Sequence, residues 1–313
     1  MIPPAKTLPG RLLFHIFTLQ FFMSEEYFNA CPVCGSENLR EVSEYSKHHL
    51  VRCLKCSFAF SRKIPSDSEL AYVYNTFFLI QQSVSPITVK RYHEMLGYFE
   101  RFRKSNNIID VGCGDGYFLD EAKKRGWNVY GTEYMDSKVE FCRQKGINMS
   151  QGILDPHNYA PDFFDVIASI EVIEHINNAR DEIKNFYKIL RPGGIAYVTT
   201  PHYNSLSRHL FHGKWNIIDY PSHLSYYTKK PMRRLFEESG FSLVRFATTG
   251  FSVSQAKLSM AKSSGKKSGS VSDADVRQAI ESSKVLRWGK SMANFILTSF
   301  NLGDTIKAVF VKH

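Results

Sequence analysis

Residues 107–116 read NIIDVGCGDG, a short apolar run that leads into a glycine-rich turn. This pattern predicts a buried strand followed by a tight loop, because glycine adopts backbone conformations that other residues avoid. Downstream, helical segments alternate with further apolar runs: WNVYGTE (127–133), INMSQ (147–151), FFDVIASIE (163–171) and GIAYVTT (194–200). Such alternation predicts an α/β fold, a parallel sheet with helices on both faces.

Three polar segments fall where strands of this sheet are predicted to end: 110–116, Glu133 and 169–175. Ligands of open parallel sheets bind at the carboxyl ends of the strands. The glycines are spaced G-x-G-x-G behind Asp110, unlike the G-x-G-x-x-G of dinucleotide sites. A carboxylate repels a pyrophosphate but attracts a cation. The sequence therefore suggests S-adenosylmethionine, which carries a sulfonium and an amino group and no phosphate.

Four linked motifs, IIDVGCGDG, YGTE, FDVIASIEVIEHI and KILRPGG, resemble those of class I S-adenosylmethionine-dependent methyltransferases. The resemblance is greatest to the branch that includes ubiquinone-type O-methyltransferases and many sugar methyltransferases, and it covers about residues 86 to 250. It implies a seven-stranded Rossmann-like sheet whose last strand, TIKAVFVK (305–312), inserts antiparallel.

The resemblance also implies which residues hold the cofactor. Asp110 would bind its methionyl part, and Glu133 would bind both ribose hydroxyls through its two oxygens. Tyr134 and Met135 would flank the adenine, with Ile153 and Leu154 on its other side. Many relatives bind the adenine amino group with an acid directly after the glycine equivalent to Gly152, where this chain has Ile153, and Asp155 is the acid that could replace it. The full set implied for the cofactor is Asp110, Gly112, Gly114, Gly116, Glu133, Tyr134, Met135, Leu154, Asp155, Ser169 and Glu171.

Two histidines are candidates for the base that takes the proton from an acceptor hydroxyl. His175 ends the motif EVIEH, and His223 lies in the segment 201–234, which the resemblance implies to be a lid over the acceptor. Aromatic and basic residues in this lid suit apolar faces and phosphate groups. We therefore expect a small, phosphate-bearing acceptor, such as a nucleotide-linked sugar or a lipid-linked glycan. Two plainer interpretations stay open: His175 caps the following turn, and the lid is a solvated basic face over aromatic core residues.

Four cysteines form two C-x2-C pairs, Cys31/Cys34 and Cys53/Cys56, separated by eighteen residues. This spacing is typical of a zinc site built on two knuckles, and Gly35 would let the backbone curl beneath the metal. Four thiolates leave no open position, so the ion is expected to be structural. Two disulfides are the alternative. The region also resembles the zinc-binding extension of one group of these methyltransferases.

Composition sets outer bounds on the chain. Its 313 residues, 43% apolar and 22% charged, exclude a disordered or fibrous protein, and the net charge of +10 permits anionic partners. The predicted organisation is an N-terminal extension (1–28), a zinc ribbon (29–64), a helical linker or cap (65–105) and a methyltransferase domain (106–313) with an insertion (252–303) that includes a helix from Asp273 to Phe300.

The N-terminal extension contains an apolar stretch from Leu12 to Met23 that is interrupted by polar residues. It falls short of the roughly 20 residues that a spanning helix needs. The stretch mimics a signal peptide without a clear cleavage site, and the open interpretations are a true start at Met23, a loosely attached extension over 1–22 or an interfacial anchor helix. We expect a cytoplasmic protein, with peripheral contact to the inner face of the membrane as a further option.

The leading hypothesis is methyl transfer to a hydroxyl of a sugar, glycan or related small metabolite. One alternative is RNA methylation, with the zinc ribbon contacting the nucleic acid; it ranks lower because the cations cluster near the lid rather than along the ribbon. A second alternative is a regulator or scaffold that binds S-adenosylmethionine without turnover. The sequence determines neither the acceptor nor the oligomeric state.

Overall fold

The computed structural model of the chain describes residues 25–77, 84–251, 292 and 295–313. Residues 1–24 of the predicted extension, most of the insertion 252–303 and most of the predicted helix Asp273–Phe300 lie outside the described residues.

Short antiparallel strands form the N-terminal unit, which we call the ribbon (residues 25–64): β1 (Glu26–Tyr27), β2 (Leu39–Glu41), β3 (Leu50–Cys53), β4 (Ala59–Ser61) and β5 (Lys63–Ile64). Strands β2, β3 and β4 pair consecutively, and β1 pairs with β5. Because β1 belongs to this unit, the ribbon begins before residue 29, where the sequence placed its start.

The segment after the ribbon is helical, as the sequence predicted, with α1 (Asp67–Phe77) and α2 (Pro86–Phe99). Helix α2 begins at Pro86, directly behind Ser85, whose side chain accepts a 3.2 Å hydrogen bond from the Thr88 amide. Proline in the first turn and serine at the N-cap both favour a helix start. Leu96 and Phe99 at the end of α2 are fully buried, so this helix is anchored to the body of the protein.

The rest of the described chain alternates between strands and α-helices, except that β9 follows β8 and β13 follows β12 without one. The elements are β6 (Asn107–Val111), α3 (Tyr117–Lys124), β7 (Asn128–Glu133), α4 (Asp136–Gln144), β8 (Asn148–Gln151), β9 (Phe164–Ile170), α5 (Ala179–Ile189), β10 (Leu190–Pro201), α6 (Leu206–Phe211), β11 (Ser225–Tyr226), α7 (Lys229–Glu237), β12 (Phe241–Thr249) and β13 (Thr305–Lys312). Seven of these strands form one sheet in the order β12-β13-β10-β9-β6-β7-β8. Strand β13 runs antiparallel to both neighbours, whereas the pairs from β10 to β8 are parallel. The seven-stranded mixed sheet is confirmed.

Helices cover both faces of this sheet. On one face, Ile183 and Phe186 of α5 and Met232 of α7 pack in a buried cluster. On the other, Leu96 of α2 and Phe118 of α3 pack in a second cluster. Strand β6 contributes to both, and all five of its residues are buried, which explains why it reads as a continuous apolar run rather than an alternating one.

Strand β11 leaves the main sheet and completes the ribbon. It pairs antiparallel with β4, in the register Ser225↔Phe60 and Tyr226↔Ala59, so that the ribbon sheet has the order β11-β4-β3-β2. The predicted lid (201–234) and the ribbon therefore share one sheet, although they are separated by more than a hundred residues in the sequence. The sequence did not indicate this connection.

Candidate active site

The glycine loop after β6 uses its three glycines for different reasons. All three have positive φ: 70° at Gly112, 55° at Gly114 and 72° at Gly116. A Cβ added at Gly112 would lie 2.8 Å from Val172, and one at Gly116 would lie 2.7 Å from Cys142. A Cβ at Gly114 would meet no atom within 4 Å. Gly112 and Gly116 are thus required by packing, and Gly114 is the one that faces space in which a ligand could approach the backbone.

Asp110 is a buried carboxylate without a matching partner. Its side chain is 4% exposed, and among the described residues its Oδ1 has no hydrogen-bond partner. Burial, with Cys142 and Glu133 adding to it, raises the pKa of Asp110 well above its ordinary value. A buried carboxyl group with an unbonded oxygen, next to an open glycine loop, fits a cationic ligand group. A cation would pair with the Asp110 carboxylate and lower the pKa of Asp110.

Glu133, at the end of β7, holds the loop in place. Its Oε2 accepts a 3.0 Å hydrogen bond from the Gly114 amide, and its Oε1 accepts one of 3.0 Å from the Met135 amide. A carboxylate offers about four acceptor sites, so capacity remains on both oxygens. This position fits the predicted contact with two neighbouring hydroxyls.

The residues predicted to flank the adenine fall into two groups. The Gly152 amide donates to the Glu133 carbonyl at 2.8 Å, which brings the 152–155 segment beside the end of β7. Tyr134 and Ile153 are exposed, at 54% and 83%. Met135 is mostly buried, Leu154 is fully buried in the sheet core, and Asp155 turns its carboxylate to the His157 amide, which donates to it at 2.9 Å.

Ser169 and Glu171 lie at the end of β9. Ser169 is buried within the strand, and Glu171 follows it with a φ of 57°. A non-glycine residue in this region is strained, and such strain is common at functional sites. The Glu171 amide donates to Thr199 at 3.0 Å. Part of the residue is exposed, yet the surrounding protein desolvates its carboxyl and, with Glu174, raises its pKa to about 8.

The two predicted base candidates lie together. The rings of His175 and His223 are 4.8 Å apart at 64°. His175 Nδ1 lies 2.6 Å from the Ser222 carbonyl, and His223 Nδ1 lies 2.7 Å from the Ile217 carbonyl. A carbonyl only accepts, so each Nδ1 carries the proton and each Nε2 presents a lone pair.

Glu174 completes this cluster, although the sequence analysis gave it no role. It is 2% exposed, accepts a 2.9 Å hydrogen bond from the Thr200 hydroxyl and lies 4.0 Å from His175 Nε2. Burial raises its pKa to about 7, lowers the pKa of His223 to about 4 and lowers that of His175. Its place in the motif EVIEH, next to His175, was the available signal.

One ligand atom from each of Glu174, His175 and His223 lies within 4.8 Å of the others. Lone pairs fixed by backbone hydrogen bonds suit either of two tasks: accepting a proton or holding a divalent cation. The arrangement brings polar groups to the carboxyl ends of β9 and β10, on the same edge of the sheet as Asp110 and Glu133.

The chain matches a known protein family. A family described as a methyltransferase domain matches residues 88–245, just over half of the chain. This protein belongs to that methyltransferase domain family. The matched region begins within α2 and ends within β12, and it includes every residue that the sequence predicts for the cofactor.

Curated relatives of this chain are similar over part of its length. A ubiquinone biosynthesis O-methyltransferase from Rickettsia akari is 28% identical over 124 residues, which is 37% of this chain and 49% of the relative. The enzyme of the same name from Rickettsia conorii is 31% identical over 99 residues, 30% of this chain and 34% of the relative. The chain thus spans half or less of the length of these two relatives.

The fold of this chain is also found in a solved structure. A SAM-dependent methyltransferase from Archaeoglobus fulgidus superposes with a TM-score of 0.50 at 17% identity, over 79% of this chain and 100% of the other. At this identity the similarity concerns the fold.

Within the described residues, none of the helices is long and apolar enough to cross a membrane.

The predicted lid (201–234) is packed rather than open. Tyr203, Trp215 and Tyr226 are at most 5% exposed and share a core cluster with Tyr45 and Leu50 of the ribbon. These rings are therefore occupied by packing, as in the plainer of the two interpretations of the lid. Of the lid residues, His223 reaches the carboxyl edge of the main sheet.

The four ribbon cysteines converge. The Sγ atoms of Cys31 and Cys56 are 3.6 Å apart, those of Cys34 and Cys53 are 3.5 Å apart, and all four lie within 4.8 Å of one another. A disulfide needs about 2.05 Å, whereas thiolates about 2.3 Å from a zinc ion in a tetrahedron are about 3.8 Å apart. The spacing therefore fits a tetrahedral metal ion better than two disulfides.

The two cysteine knuckles have matching backbones. The Gly35 amide donates to the Cys31 carbonyl at 2.8 Å, and the Ser57 amide donates to the Cys53 carbonyl at 2.9 Å. Both residues have positive φ, 67° and 66°. The predicted role of Gly35 is thus matched by Ser57 at the second knuckle, where a non-glycine residue accepts the same conformation.

Proposed function

We propose that this protein transfers the methyl group of S-adenosylmethionine to a hydroxyl of a small metabolite. The observation that carries the proposal is the buried, unpartnered Oδ1 of Asp110 beside the open face of Gly114. The curated relatives are named as O-methyltransferases of ubiquinone biosynthesis, which supports an oxygen nucleophile on a small molecule.

The donor side is built from the first half of the sheet. Asp110 would pair with the ammonium of the methionyl part, the Gly114 backbone would pass close to it, and Glu133 would accept hydrogen bonds from the ribose hydroxyls. S-adenosylmethionine supplies a methyl group already activated by its positively charged sulfur. The task left to the protein is alignment and, for a hydroxyl acceptor, removal of a proton.

The acceptor side is built around Glu174, His175 and His223. We assign His223 or His175 as the group that takes the acceptor proton on Nε2, while the carbonyl bonded to Nδ1 keeps the ring in the correct tautomer. Glu174 lies near enough to stabilise the imidazolium that results. Methyl transfer leaves the sulfur neutral, and the acceptor proton carries that positive charge onto the imidazole, where an ionised Glu174 would pair with it.

The acceptor itself is proposed as a sugar, a glycan or a related metabolite that carries a phosphate. The support is the basic composition of the lid and of α7, which begins with Lys229 and Lys230 at its exposed end. Arg233 and Arg234 on the same helix are already paired with Glu237 and Glu238, so the two lysines are the better candidates for a phosphate.

We propose that the four cysteines bind a structural zinc ion. The zinc tetrathiolate would carry a net charge of −2, and two arginines lie beside it. Arg180 donates to the Val33 carbonyl inside the first knuckle and pairs with Glu238 at 2.7 Å. The hydrogen bond to Glu238 raises the pKa of Arg234, and the charges of Cys34 and Cys56 raise it further. Cations beside an anionic metal centre stabilise it.

The function is tested by transfer of tritiated methyl groups into a fractionated cell extract. We expect label in the small-molecule or glycan fraction, in an amount that depends on active protein. Label in RNA, with salt-sensitive RNA binding, would favour nucleic-acid methylation instead. Binding of S-adenosylmethionine by calorimetry without label in any fraction would favour a regulator or scaffold.

A further inference from the structure

We propose that the ribbon forms part of the acceptor site: its metal centre holds the lid strand, and through it His223, while the donor site does not depend on it. This inference rests on the function proposed above. Its basis is the continuous set of contacts that leads from the cysteine knuckles to the histidine pair.

The first step of this path is backbone pairing. The knuckle at 53–56 connects β3 directly to β4, and the Cys53 amide donates to the Phe58 carbonyl at 2.8 Å. Strand β4 then pairs with β11, and the Ser61 amide donates to the Leu224 carbonyl at 2.8 Å. A metal ion bound at this knuckle would therefore fix the β3–β4 hairpin, and the lid strand β11 pairs along the β4 edge of that hairpin.

The second step runs from β11 to His223. The Tyr226 hydroxyl donates to the His223 carbonyl at 2.8 Å and accepts from the Asp219 amide at 3.3 Å. The His223 amide donates to the Asp219 carbonyl at 2.8 Å. Tyr226 is 3% exposed. One buried hydroxyl on the ribbon-paired strand thus fixes both ends of the turn that carries the histidine, which makes Tyr226 a positioning residue.

The third step joins the turn to the main sheet. The Leu224 amide donates to the Glu174 carbonyl at 2.8 Å, and His175 Nδ1 bonds to the Ser222 carbonyl. The turn is therefore held between the ribbon on one side and the EVIEH loop on the other. Without the ribbon, these contacts, those within the lid and the 3.3 Å hydrogen bond from the Tyr220 hydroxyl to Glu69 of α1 would remain.

Side-chain packing supports the same connection. Trp215 in the lid is 3% exposed and shares its cluster with Tyr45, Leu50 and Ala59 of the ribbon. The Tyr45 hydroxyl donates to the His212 carbonyl. Separation of ribbon and lid would expose this cluster to water.

The donor side is built differently. The hydrogen bonds described for Glu133 join residues of the main sheet and its loops, and the Gly112 amide donates to the Thr132 hydroxyl at 3.2 Å. None of these hydrogen bonds involves a ribbon residue. The ribbon and β6 share a buried cluster that includes Phe58 and Val111, so the connection between them is apolar packing and not hydrogen bonding. Loss of the metal should therefore affect the two halves of the site unequally.

The experiment uses the full-length protein with its metal content measured by atomic absorption, before and after treatment with a chelator. Donor-site binding is followed by calorimetry with S-adenosylhomocysteine, and the lid by hydrogen exchange over 212–227 and by Trp215 fluorescence, assigned with a Trp215→Phe variant. We expect one zinc ion per chain. Its removal should abolish protection of 217–226 and shift Trp215 emission to longer wavelength, with less than about a threefold change in donor affinity, since a threefold change is below 1 kcal/mol.

Three results would overturn the inference. One is protein that contains no zinc as purified. Another is protection over 217–226 that survives zinc removal. The third is donor affinity that falls in parallel with protection, because the ribbon would then be a general support of the fold. Failure of the proposed function is read separately, as an absence of S-adenosylhomocysteine binding to the zinc-loaded protein.

A variant that keeps the metal gives an independent test. Tyr226→Phe removes the hydroxyl and leaves the ring. We expect unchanged zinc content and donor affinity, and a loss of protection over 219–224 of at least about tenfold, because the turn loses both of its hydrogen bonds to this hydroxyl. The turnover number should fall without a change in the KM for the donor. Tyr159→Phe, which removes a hydroxyl bonded to Ser150 at 3.0 Å outside ribbon and lid, is the matched control. Equal behaviour of the two variants would contradict the assignment.

Discussion

His175 and His223 meet edge to face, with ring centroids 4.8 Å apart, although they come from the loop after β9 and from the lid. Each ring gives its Nδ1 proton to a backbone carbonyl, from Ser222 and from Ile217. The carbonyls, and not the histidines themselves, decide which ring nitrogen carries the proton. Backbone geometry consequently determines that Nε2 is the nitrogen of each ring that can accept a proton.

Replacement of His223 by Gln tests its role in proton removal. Gln keeps a polar side chain but cannot accept a proton at neutral pH. We expect turnover to fall by about 10²–10⁴-fold, the usual contribution of a positioned base. Donor affinity by calorimetry should not change. His157→Gln, at an exposed position, is the control. Undiminished turnover in His223→Gln would remove this residue from the mechanism.

The dependence of turnover on divalent cations shows whether Glu174, His175 and His223 accept a proton or bind a metal ion. If the histidine pair accepts the proton directly, turnover of zinc-replete protein should not respond to added Mg²⁺ or Mn²⁺, because no cation takes part. The measurement is the initial rate against cation concentration in chelator-treated buffer. A Mn²⁺ requirement that weakens in His223→Gln would assign Glu174, His175 and His223 to a metal site instead.

The sequence predicted the sheet well because its strands are locally encoded. The strand over 107–111 and the last strand over 305–312 occur at the predicted residues, since a continuous or alternating apolar run can be recognised without knowledge of its neighbours. The histidine pair could also be nominated, because His175 lies in a motif and His223 in a segment with a known place in the family.

The pairing of β11 with β4 could not be predicted in the same way. Two residues, Ser225 and Tyr226, form that strand, and residues 59–61 form its partner. Segments this short carry no usable periodicity, and the contact joins parts of the chain that are far apart in sequence. The role of Glu174 was missed for a different reason: burial, which gives this carboxyl its raised pKa, is a tertiary property.

Asp110→Asn separates donor binding from stability. In the ligand-free protein the buried carboxyl is costly, so its replacement by a neutral amide should raise the melting temperature. Affinity for S-adenosylmethionine should fall by about 10–100-fold, because a charge-assisted hydrogen bond contributes about 1.5–3 kcal/mol. Thermal melts and calorimetry on the same samples measure both. A variant that loses stability and keeps its affinity would show that Asp110 supports the fold and not the ligand.

The raised pKa of Asp110 also predicts proton release on donor binding, since a cation stabilises the ionised form. Calorimetric titration in two buffers with different ionisation enthalpies should therefore give different apparent enthalpies for wild type. The difference should be smaller for Asp110→Asn. Identical buffer dependence in the two proteins would contradict the pairing with an ammonium.

Gly114→Ala and Gly116→Ala form a matched pair within one loop. Both positions have positive φ, so each substitution costs roughly 1 kcal/mol of backbone strain. At Gly116 the new methyl would also lie 2.7 Å from Cys142, whereas at Gly114 it would enter open space. We expect Gly116→Ala to lower the melting temperature more than Gly114→Ala does. Gly114→Ala should have a small effect on the melting temperature and a larger effect on donor affinity. Equal effects on affinity and stability in both variants would mean that the loop acts only through packing.

Glu182 on α5 provides a pH-dependent prediction outside the active site. It is 8% exposed, and burial raises its pKa from 4.5 to about 7. Below about pH 4.5 the group is protonated in both states. Between that pH and 7 the unfolded chain ionises while the folded protein keeps its proton, so the stability contributed by this group falls as pH rises, by about 3 kcal/mol in all. Glu182→Gln abolishes the titration, and its free energy of unfolding relative to wild type should therefore increase between pH 4.5 and pH 8. The exposed Glu140→Gln should show no such change. Urea unfolding at the two pH values measures this difference in the free energy of unfolding. If the difference between Glu182→Gln and wild type were the same at both pH values, Glu182 would ionise in the folded protein as readily as in the unfolded chain.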